Sequence, residues 1–203
     1  MKLYFAPGAC SLCPHIVLLE AGLTAEAVPV NLKTHQLADG SDYYAVNPRG
    51  YVPLLELDDG QRLTENAALV QYLADRAPDR GLLPPPGTLA RTRVQEWLAF
   101  VGSELHKSFS PLFNAAMPDE AKAIFKKKLV DRFTWVDRQL AGKSYLMGET
   151  FTVADAYLFV IAGWAPRVGL DIGGLENLAA HQARMKQRPA VQAAMKAEEP
   201  ARA

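Results

Sequence analysis

The proline-rich stretch between residues 78 and 88 constrains the fold more than any other part of the sequence. It holds four prolines and two glycines and shows no helical period. This composition is typical of a stiff linker between two folded parts. Strand and helix patterns alternate before it, whereas every later pattern is helical. We therefore predict an α/β domain over residues 1–80, a linker over residues 81–88 and an all-helical domain over residues 89–203.

The first half of the chain reads as a small domain of strands and helices. Pro29 cannot donate to a strand ladder, so the second strand is expected at a sheet edge. Thr64 is a favourable N-cap for the helix that follows it. The predicted elements are strands at 2–5, 27–31, 54–57 and 62–63, helices at 11–20 and from Thr64 onward, and a short helix near 42–46. This order of elements is that of a thioredoxin-like domain.

The second half carries apolar residues at helical spacing throughout. Pro111 is expected to interrupt the first helix, because a proline inside a helix lacks the N–H donor. Thr152 and Asp155 predict a capping box, and the helix that they open is so apolar that we expect it at the centre of the domain. The predicted helices span residues 89–108, 118–142, 152–164 and 175–188, before a short final helix and a frayed end.

The composition argues against several classes of protein. The chain is 49% hydrophobic and 22% charged, and its 22 lysines and arginines balance 22 acidic residues. A zero net charge argues against a general nucleic-acid or anionic-membrane binder. The longest apolar run, residues 156–166, is too short to span a bilayer, and the N-terminus lacks a signal-peptide pattern. We expect a cytoplasmic protein, in which two cysteines are more often redox or catalytic groups than a disulfide.

Cys10 stands where the first helix begins. Unpaired backbone N–H groups and the positive end of the helix dipole favour a thiolate there, so this cysteine is expected to be reactive. With Cys13 it forms a C-x-x-C pattern that allows three readings. A zinc site lacks two further cysteines, so we expect no metal. The pair could act as a dithiol, or Cys10 could be the working thiol and Cys13 a small apolar filler, which is the favoured reading.

Two further places in the first half carry groups suited to a peptide ligand. A cis peptide bond between Val52 and Pro53 would expose the Val52 backbone, which could then pair with a cysteinyl peptide. Glu65 could bind an ammonium group, and Asn66 at a helix N-terminus could hold a carboxylate. The simpler alternatives are a trans proline in a turn and ordinary helix capping.

A stripe of small and polar side chains runs along the first helix of the second half. Ala99, Gly102, Ser103 and His106 follow helical spacing, and Lys107 continues the stripe. Small residues leave room for a ligand, and His106 could exchange a hydrogen bond with a thiol. The alternative is a solvated or helix-packing face with a surface histidine.

Taken together, these motifs resemble those of the bacterial beta-class glutathione S-transferases. The matching motifs are YFAPGACSL at Cys10, NPRGYVP at Pro53, LTEN at Glu65, SELHK at His106 and FTVADAYLF at Asp155. They keep the order and spacing of the family over essentially the whole chain. The resemblance implies a thioredoxin-like N-terminal domain, an all-helical C-terminal domain, a homodimer, and glutathione as co-substrate.

The resemblance also implies roles for individual residues. Cys10 would lie beside the glutathione sulfur and could form a mixed disulfide with it. Val52 would pair with the cysteinyl backbone next to a cis Pro53, and Glu65 and Asn66 would hold the γ-glutamyl end. The residues that would close the site, with glutathione approached partly from the partner subunit, are Ser103, Glu104, Leu105, His106 and Lys107.

Three positions depart from the pattern of the family. His35 stands where lysine is usual, so its contact with the glycyl carboxylate would be weaker and pH-dependent. Ala99 replaces the usual asparagine and removes a side-chain hydrogen bond worth about 0.5–1.5 kcal/mol. Cys13 replaces the usual serine and keeps the dithiol reading open.

We therefore predict a glutathione transferase with a role in detoxification. The helix N-terminus and His106 would lower the pKa of the glutathione thiol, which would attack a hydrophobic electrophile. The electrophile would lie in an apolar cleft between the domains, lined by Phe109, Phe113 and Trp164. Two alternatives remain, namely a glutaredoxin-like oxidoreductase that uses Cys10 with or without Cys13, and a degenerate interaction module without activity.

Overall fold

The computed structural model describes residues 1–199. They form two compact units: Met1–Leu82 joined by the described residues from Arg188 onward, and Leu83–Gln187. The boundary after Leu82 falls inside the proline-rich stretch. The residues from Arg188 onward belong with the first unit, whereas the sequence pattern placed them in the helical domain. The predicted frayed end reaches into residues 200–203, which lie outside the described part.

The first unit is built on a mixed five-stranded sheet. Its strands are β1 (Lys2–Phe5), β2 (Glu26–Asn31), β3 (Gln36–Leu37), β4 (Leu54–Glu56) and β5 (Arg62–Thr64). The strand order is β3-β2-β1-β4-β5, with β1 parallel to β2 and the other neighbours antiparallel. The sheet and the separate helical unit confirm the predicted fold class.

Helices make up the rest of both units. The α-helices are α1 (Leu12–Glu20), α2 (Asn66–Asp75), α3 (Leu89–Phe100), α4 (Lys107–Phe113), α5 (Asp119–Leu140), α6 (Val153–Ala162), α7 (Glu176–Lys186) and α8 (Pro189–Ala197). Short 3-10 helices lie at Tyr43–Ala45, Pro78–Arg80 and Ala165–Val168. In the first unit, α1 packs against both α2 and α8. No helix within residues 1–199 is both long and apolar enough to cross a bilayer.

Two details of the first unit correct the predictions. β2 is not an edge strand, because β3 pairs with it, although β3 reaches only Val30 and Asn31 and leaves Pro29 outside that pairing. Thr64 is not an N-cap, because its backbone pairs with Leu54 as the last residue of β5. Glu65 takes the N-cap position of α2 without a capping side-chain hydrogen bond.

The first helix of the second unit is broken at a different place from the one predicted. α3 runs into a π-helical segment, Val101–His106, which continues as α4. Pro111 lies inside α4 rather than interrupting it. A π-helical turn holds more residues than an α-helical turn, so the residues after Phe100 do not keep the spacing assumed for the stripe.

α6 forms the centre of the second unit, as predicted. All 10 of its residues are buried. Thr152 and Asp155 form the predicted capping box at its N-terminus. Apolar side chains of α3, α5 and α7 also contribute to this core, among them Leu98, Phe133 and Met185. Because α6 is capped and buried on all sides, its side chains are held in fixed positions.

Candidate active site

Cys10 lies in the turn between β1 and α1, one residue before the helix N-cap at Ser11. Its side chain is partly exposed, and its thiol donates a hydrogen bond to the carbonyl oxygen of Val52, with a sulfur–oxygen distance of 3.4 Å. The peptide bond between Val52 and Pro53 is cis, as the resemblance implied. The structure thus brings the Cys10 thiol against the Val52 backbone, just before β4, although the two residues are 42 positions apart in the sequence.

Side-chain hydrogen bonds fix the backbone of the Cys10 turn. The Ser11 hydroxyl accepts from the Ala6 backbone N–H at 3.1 Å and donates to the Ala6 carbonyl at 3.3 Å, so Ser11 ties the turn instead of capping α1. The Asn66 side-chain amide donates to the Cys10 carbonyl at 3.1 Å. Asn66 is 5% exposed, so its side chain braces the turn, a role that the sequence did not indicate.

The end of the chain also holds this turn in place. The Glu198 carboxylate lies 3.0 Å from Nδ1 of His15 on α1, and both side chains are buried. The backbone N–H of Gly8, in the same turn as Cys10, also hydrogen-bonds to Glu198. At the far end of α1, Arg188 donates two hydrogen bonds to Glu20, at 2.6 and 2.9 Å. These contacts could not be predicted from the sequence, because no local pattern links His15 to Glu198, 183 positions away.

The buried Glu198 predicts a pH-dependent stability. Burial raises its pKa above the ordinary value of 4.5, although the hydrogen bonds from His15 and the Gly8 backbone act to lower it. The folded carboxyl therefore keeps its proton to higher pH than the unfolded one. Its contribution to stability is full below pH 4.5 and is lost as the pH rises through the raised value.

Glutamine at position 198 keeps the side-chain shape and removes this titration. Relative to the wild type, E198Q is expected to gain unfolding free energy as the pH rises above 4.5, measured by urea denaturation across a pH series. E199Q is the matched control, because Glu199 is exposed and adjacent, and its curve should follow the wild type. Parallel curves for E198Q and the wild type would contradict the prediction.

Cys13 is poorly placed to act as a second working thiol. Its side chain is fully buried, and no disulfide joins it to Cys10 in the described chain. Burial raises the pKa of the Cys13 thiol well above its ordinary value, and the neighbouring Cys10 raises it further. A thiol that stays protonated is a weak nucleophile, so this environment favours the reading of Cys13 as an apolar filler.

Glu65 presents an exposed carboxylate at the start of α2. Its backbone has a positive φ of 70°, an unusual conformation for a residue other than glycine, and its side chain is 70% exposed. The Arg49 guanidinium lies 3.0 Å from the Glu65 carboxylate and also donates to the Thr64 hydroxyl. Arg49 was not predicted from the sequence, although it belongs to the NPRG turn.

His35 is held in a specific orientation beside the loop that leads to Val52. Its ring packs against Tyr44 with 4.5 Å between ring centres and a 32° tilt between the ring planes, and its Nδ1 atom is buried. Gly50 has a φ of +67°, and a Cβ atom there would lie 2.7 Å from Tyr44 and 2.8 Å from His35. Glycine is therefore required at position 50 for this ring contact, both for its backbone conformation and for the close approach of the two rings.

In the second unit, His106 is the last residue of the π-helical segment. Its Nδ1 atom lies 2.7 Å from the hydroxyl oxygen of Tyr157 on α6. The imidazole ring packs edge-on against Trp164, with 5.0 Å between ring centres. Tyr157 lies inside the FTVADAYLF motif, but nothing in the sequence links it to His106, 51 positions earlier, so it was not predicted as a site residue.

The other predicted residues of this segment differ in exposure. Ala99, Ser103 and Lys107 are exposed, and the Ser103 hydroxyl donates to the Ala99 carbonyl at 2.9 Å. Glu104 accepts a hydrogen bond from Arg132 at 2.9 Å, which lowers the pKa of its carboxyl. Lys128 lies 3.4 Å from the same carboxylate and lowers that pKa further. The remaining member, Leu105, has a fully buried side chain.

Three aromatic residues predicted to contact an electrophile form one cluster. Phe109, Phe113 and Trp164 pack with ring-centre distances between 5.5 and 6.2 Å. Phe113 is 50% exposed, whereas Trp164 is nearly buried and Phe109 is fully buried. Phe109 therefore packs behind the other two rings, and its fully buried side chain cannot contact a substrate directly. Within residues 1–199, no group of three or more His, Cys, Asp or Glu side chains could hold a metal ion.

The sequence is similar to glutathione S-transferases along its whole length. Residues 9–76 match the profile of the glutathione S-transferase N-terminal domain, and residues 100–189 match that of the C-terminal domain. The chain is 47% identical over 198 residues to glutathione S-transferase GstA of Escherichia coli O157:H7, and the match covers 98% of each chain.

Solved structures show the same similarity. BphK, a bacterial glutathione S-transferase solved as a ternary complex, gives a TM-score of 0.96 at 52% identity over 98% of this chain and 100% of that one. A sphingomonad glutathione S-transferase complexed with glutathione gives a TM-score of 0.95 at 47% identity, and the match covers 99% of this chain and 100% of that one. The bacterial beta-class glutathione S-transferase of Sphingomonas chungbukensis gives a TM-score of 0.94 at 47% identity, and the match covers 98% of this chain and 99% of that one.

Proposed function

The chain belongs to the glutathione S-transferase family, and we propose that it conjugates the glutathione thiolate to hydrophobic electrophiles. Glutathione is its co-substrate, the ligand present in the sphingomonad structure. The observation that carries the assignment of the site is the contact of the Cys10 thiol with the Val52 carbonyl, next to the cis bond before Pro53.

That contact suggests how the sulfur of glutathione is placed. An extended cysteinyl peptide would pair with the Val52 backbone, as in strand addition. Its N–H would then replace the Cys10 thiol as the donor to the Val52 carbonyl, which is already a hydrogen-bond acceptor. The glutathione sulfur would come to lie beside Cys10 at the start of α1, where the positive end of the helix dipole favours a thiolate.

The start of α2 offers the groups that the γ-glutamyl end requires. We assign its ammonium to the exposed Glu65 carboxylate and its carboxylate to the unpaired backbone N–H groups of α2, beginning with that of Asn66. Arg49 supports this arrangement, since its hydrogen bond to Glu65 holds the carboxylate in one place. The glycyl carboxylate at the other end is assigned to His35.

A substitution at Glu65 tests this assignment directly. A hydrogen bond to a charged group contributes about 1.5–3 kcal/mol, so E65Q is expected to weaken glutathione binding by about tenfold to a hundredfold in a calorimetric titration. E56Q is the control, because Glu56 is the other carboxylate of this sheet region with an arginine partner, Arg62 at 2.9 Å. Equal glutathione affinity in E65Q and the wild type would refute the assignment.

The second unit supplies the residues that we assign to the electrophile and the thiol. The electrophile is assigned to the half-exposed Phe113, with the buried Trp164 and Phe109 packed behind its ring. His106 is assigned to a hydrogen bond with the glutathione thiolate, and Ala99, Ser103, Glu104, Leu105 and Lys107 to the remaining contacts. Because the Leu105 side chain is buried, its contact would come from the backbone. Turnover of a chlorodinitrobenzene with glutathione would argue against a degenerate interaction module.

Thiol–disulfide exchange is a second candidate activity, favoured by the partly exposed Cys10 thiol. The Cys10 thiolate would attack a glutathionyl disulfide, form a mixed disulfide with glutathione and release the other thiolate. A second glutathione thiolate would then attack that bond, regenerate Cys10 and leave oxidised glutathione. The buried Cys13 favours this route, which uses a single protein thiol, over an internal disulfide.

We also propose that the protein works as a homodimer in the cytoplasm and removes reactive electrophiles there. The homodimer follows from the resemblance of the motifs to those of the beta class. The location is supported by the two cysteines, which form no disulfide in the described chain, as is usual in a reducing compartment. The molar mass in solution, measured by light scattering, should be about twice that of the 22.2 kDa chain.

A further inference from the structure

The hydroxyl of Tyr157 touches His106 at the ring nitrogen that points into the helical unit. The distance from Nδ1 to the hydroxyl oxygen is 2.7 Å, within the ordinary range for a hydrogen bond. A tyrosine hydroxyl can donate or accept, whereas a neutral imidazole carries its proton on only one of its two nitrogens. The partner of one nitrogen therefore decides whether the other one is a donor or an acceptor.

We propose that Tyr157 is a positioning residue that donates to Nδ1 of His106 and so keeps the ring proton on Nε2. The imidazole then presents an N–H donor, the group that stabilises a neighbouring thiolate. This inference rests on the proposed function, in which His106 meets the glutathione thiolate. Tyr157 itself does not touch the thiolate and acts only through His106.

The surroundings of Tyr157 allow it to set the ring orientation. Tyr157 is 4% exposed and lies on α6, whose residues are all buried. The capping box of Thr152 and Asp155 fixes the first turn of α6, one turn before Tyr157. A hydroxyl on such a support has little freedom to move, so it offers a fixed reference point for a histidine on another helix.

The His106 ring is restrained on a second side by an aromatic neighbour. Trp164 packs edge-on against it at 5.0 Å, and the ring of Tyr157 does so at 5.8 Å. His106 also ends the π-helical segment, a conformation that is rare and frequent at functional sites. Two ring contacts fix the plane of the imidazole, and the hydroxyl contact then fixes its tautomer.

Nitrogen NMR of the imidazole rings tests the tautomer without any assay of activity. The chain has four histidines, so the H106N spectrum identifies the His106 signals by their loss. In the neutral wild-type protein we expect the proton on Nε2 and an acceptor signal from Nδ1. In Y157F we expect a mixture of both tautomers, because the donor to Nδ1 is gone. A proton on Nδ1 in the wild type, or an unchanged spectrum in Y157F, would overturn the inference.

Kinetics test whether this positioning serves the reaction. Y157F is expected to lower kcat/KM for conjugation by about threefold to tenfold, the range for one lost hydrogen bond. The double variant Y157F/H106N should be no slower than H106N alone, because Tyr157 acts through His106. Y145F is the matched control: Tyr145 is a buried tyrosine that packs edge-on against a different histidine, His181, at 6.3 Å, and this variant should keep the wild-type kcat/KM.

The outcomes separate this inference from the proposed function. A loss of kcat/KM in H106N without any loss in Y157F would overturn the inference alone. An unchanged kcat/KM in H106N would overturn the role assigned to His106, and the inference with it. The wild-type tautomer is measured on the intact protein, so it decides the first part of the inference even where Y157F folds poorly.

Discussion

Replacing Cys10 with alanine is expected to abolish thiol–disulfide exchange while leaving conjugation within about tenfold of the wild-type rate. Exchange requires a thiolate on the protein as nucleophile, so its rate in C10A should fall by at least about a hundredfold, to the level of free glutathione. Conjugation uses the thiolate of glutathione itself. The variant loses only the neighbouring sulfur, a contact comparable to one hydrogen bond of about 0.5–1.5 kcal/mol.

Both rates are measured on the same preparation, with a glutathionyl disulfide and with an aromatic electrophile. C13A is the matched control. The Cys13 side chain is buried, so its thiol should take part in neither reaction and both rates should be kept. Loss of conjugation in C10A would make Cys10 the nucleophile of both reactions and would reject the proposed role of glutathione. Loss of exchange in a folded C13A would support the hypothesis that Cys10 and Cys13 act as a dithiol, which the burial of Cys13 disfavours.

Replacing Asp155 with alanine is expected to destabilise the helical unit strongly. The carboxylate is fully buried and accepts hydrogen bonds from the Leu146 backbone at 2.8 Å, from the Thr152 backbone at 2.8 Å and hydroxyl at 3.0 Å, and lies 3.1 Å from Nε2 of His181. Alanine leaves these buried groups without their partner. Each unsatisfied group is worth about 1–3 kcal/mol, so the variant should lose roughly 3–5 kcal/mol of unfolding free energy.

A chain of this size loses about 2–4 °C of Tm per kcal/mol, so D155A should melt roughly 6–20 °C below the wild type in a calorimeter. D131A is the control, because Asp131 is an exposed carboxylate of the same unit paired with Lys127. Its Tm should stay within about 4 °C of the wild type, since surface ion pairs contribute at most about 1 kcal/mol. Equal melting temperatures for D155A and D131A would contradict the account of the capping box.

The sequence predicted those features that depend on neighbours along the chain. The capping box at Thr152 needs only four consecutive residues, and the apolar run behind it indicates burial without knowledge of its partners. The division at the proline-rich stretch and the placement of Cys10 before α1 are equally local. The match of whole motifs to a known family then supplied the cis peptide bond between Val52 and Pro53, which spacing alone could not give.

The sequence failed where a contact joins distant residues or where one residue serves two uses. Asn66 was predicted as a ligand group at a helix end, and its side-chain amide also holds the Cys10 carbonyl, a second use that the sequence did not indicate. Thr64 has the side chain of a helix cap, but its backbone is part of a strand pair with Leu54. The π-helical segment before α4 also left no signal, because the same apolar residues suit an α-helix and the extra residue per turn is set by packing.

The return of α8 to α1 means that the thiol-bearing unit is discontinuous in the polypeptide. A ribosome must finish almost the whole chain before Glu198 can reach His15, so this unit cannot complete its packing while the protein is still being made. A gene fragment that stops at Leu82 would encode the sheet and the reactive cysteine without the helix that secures them.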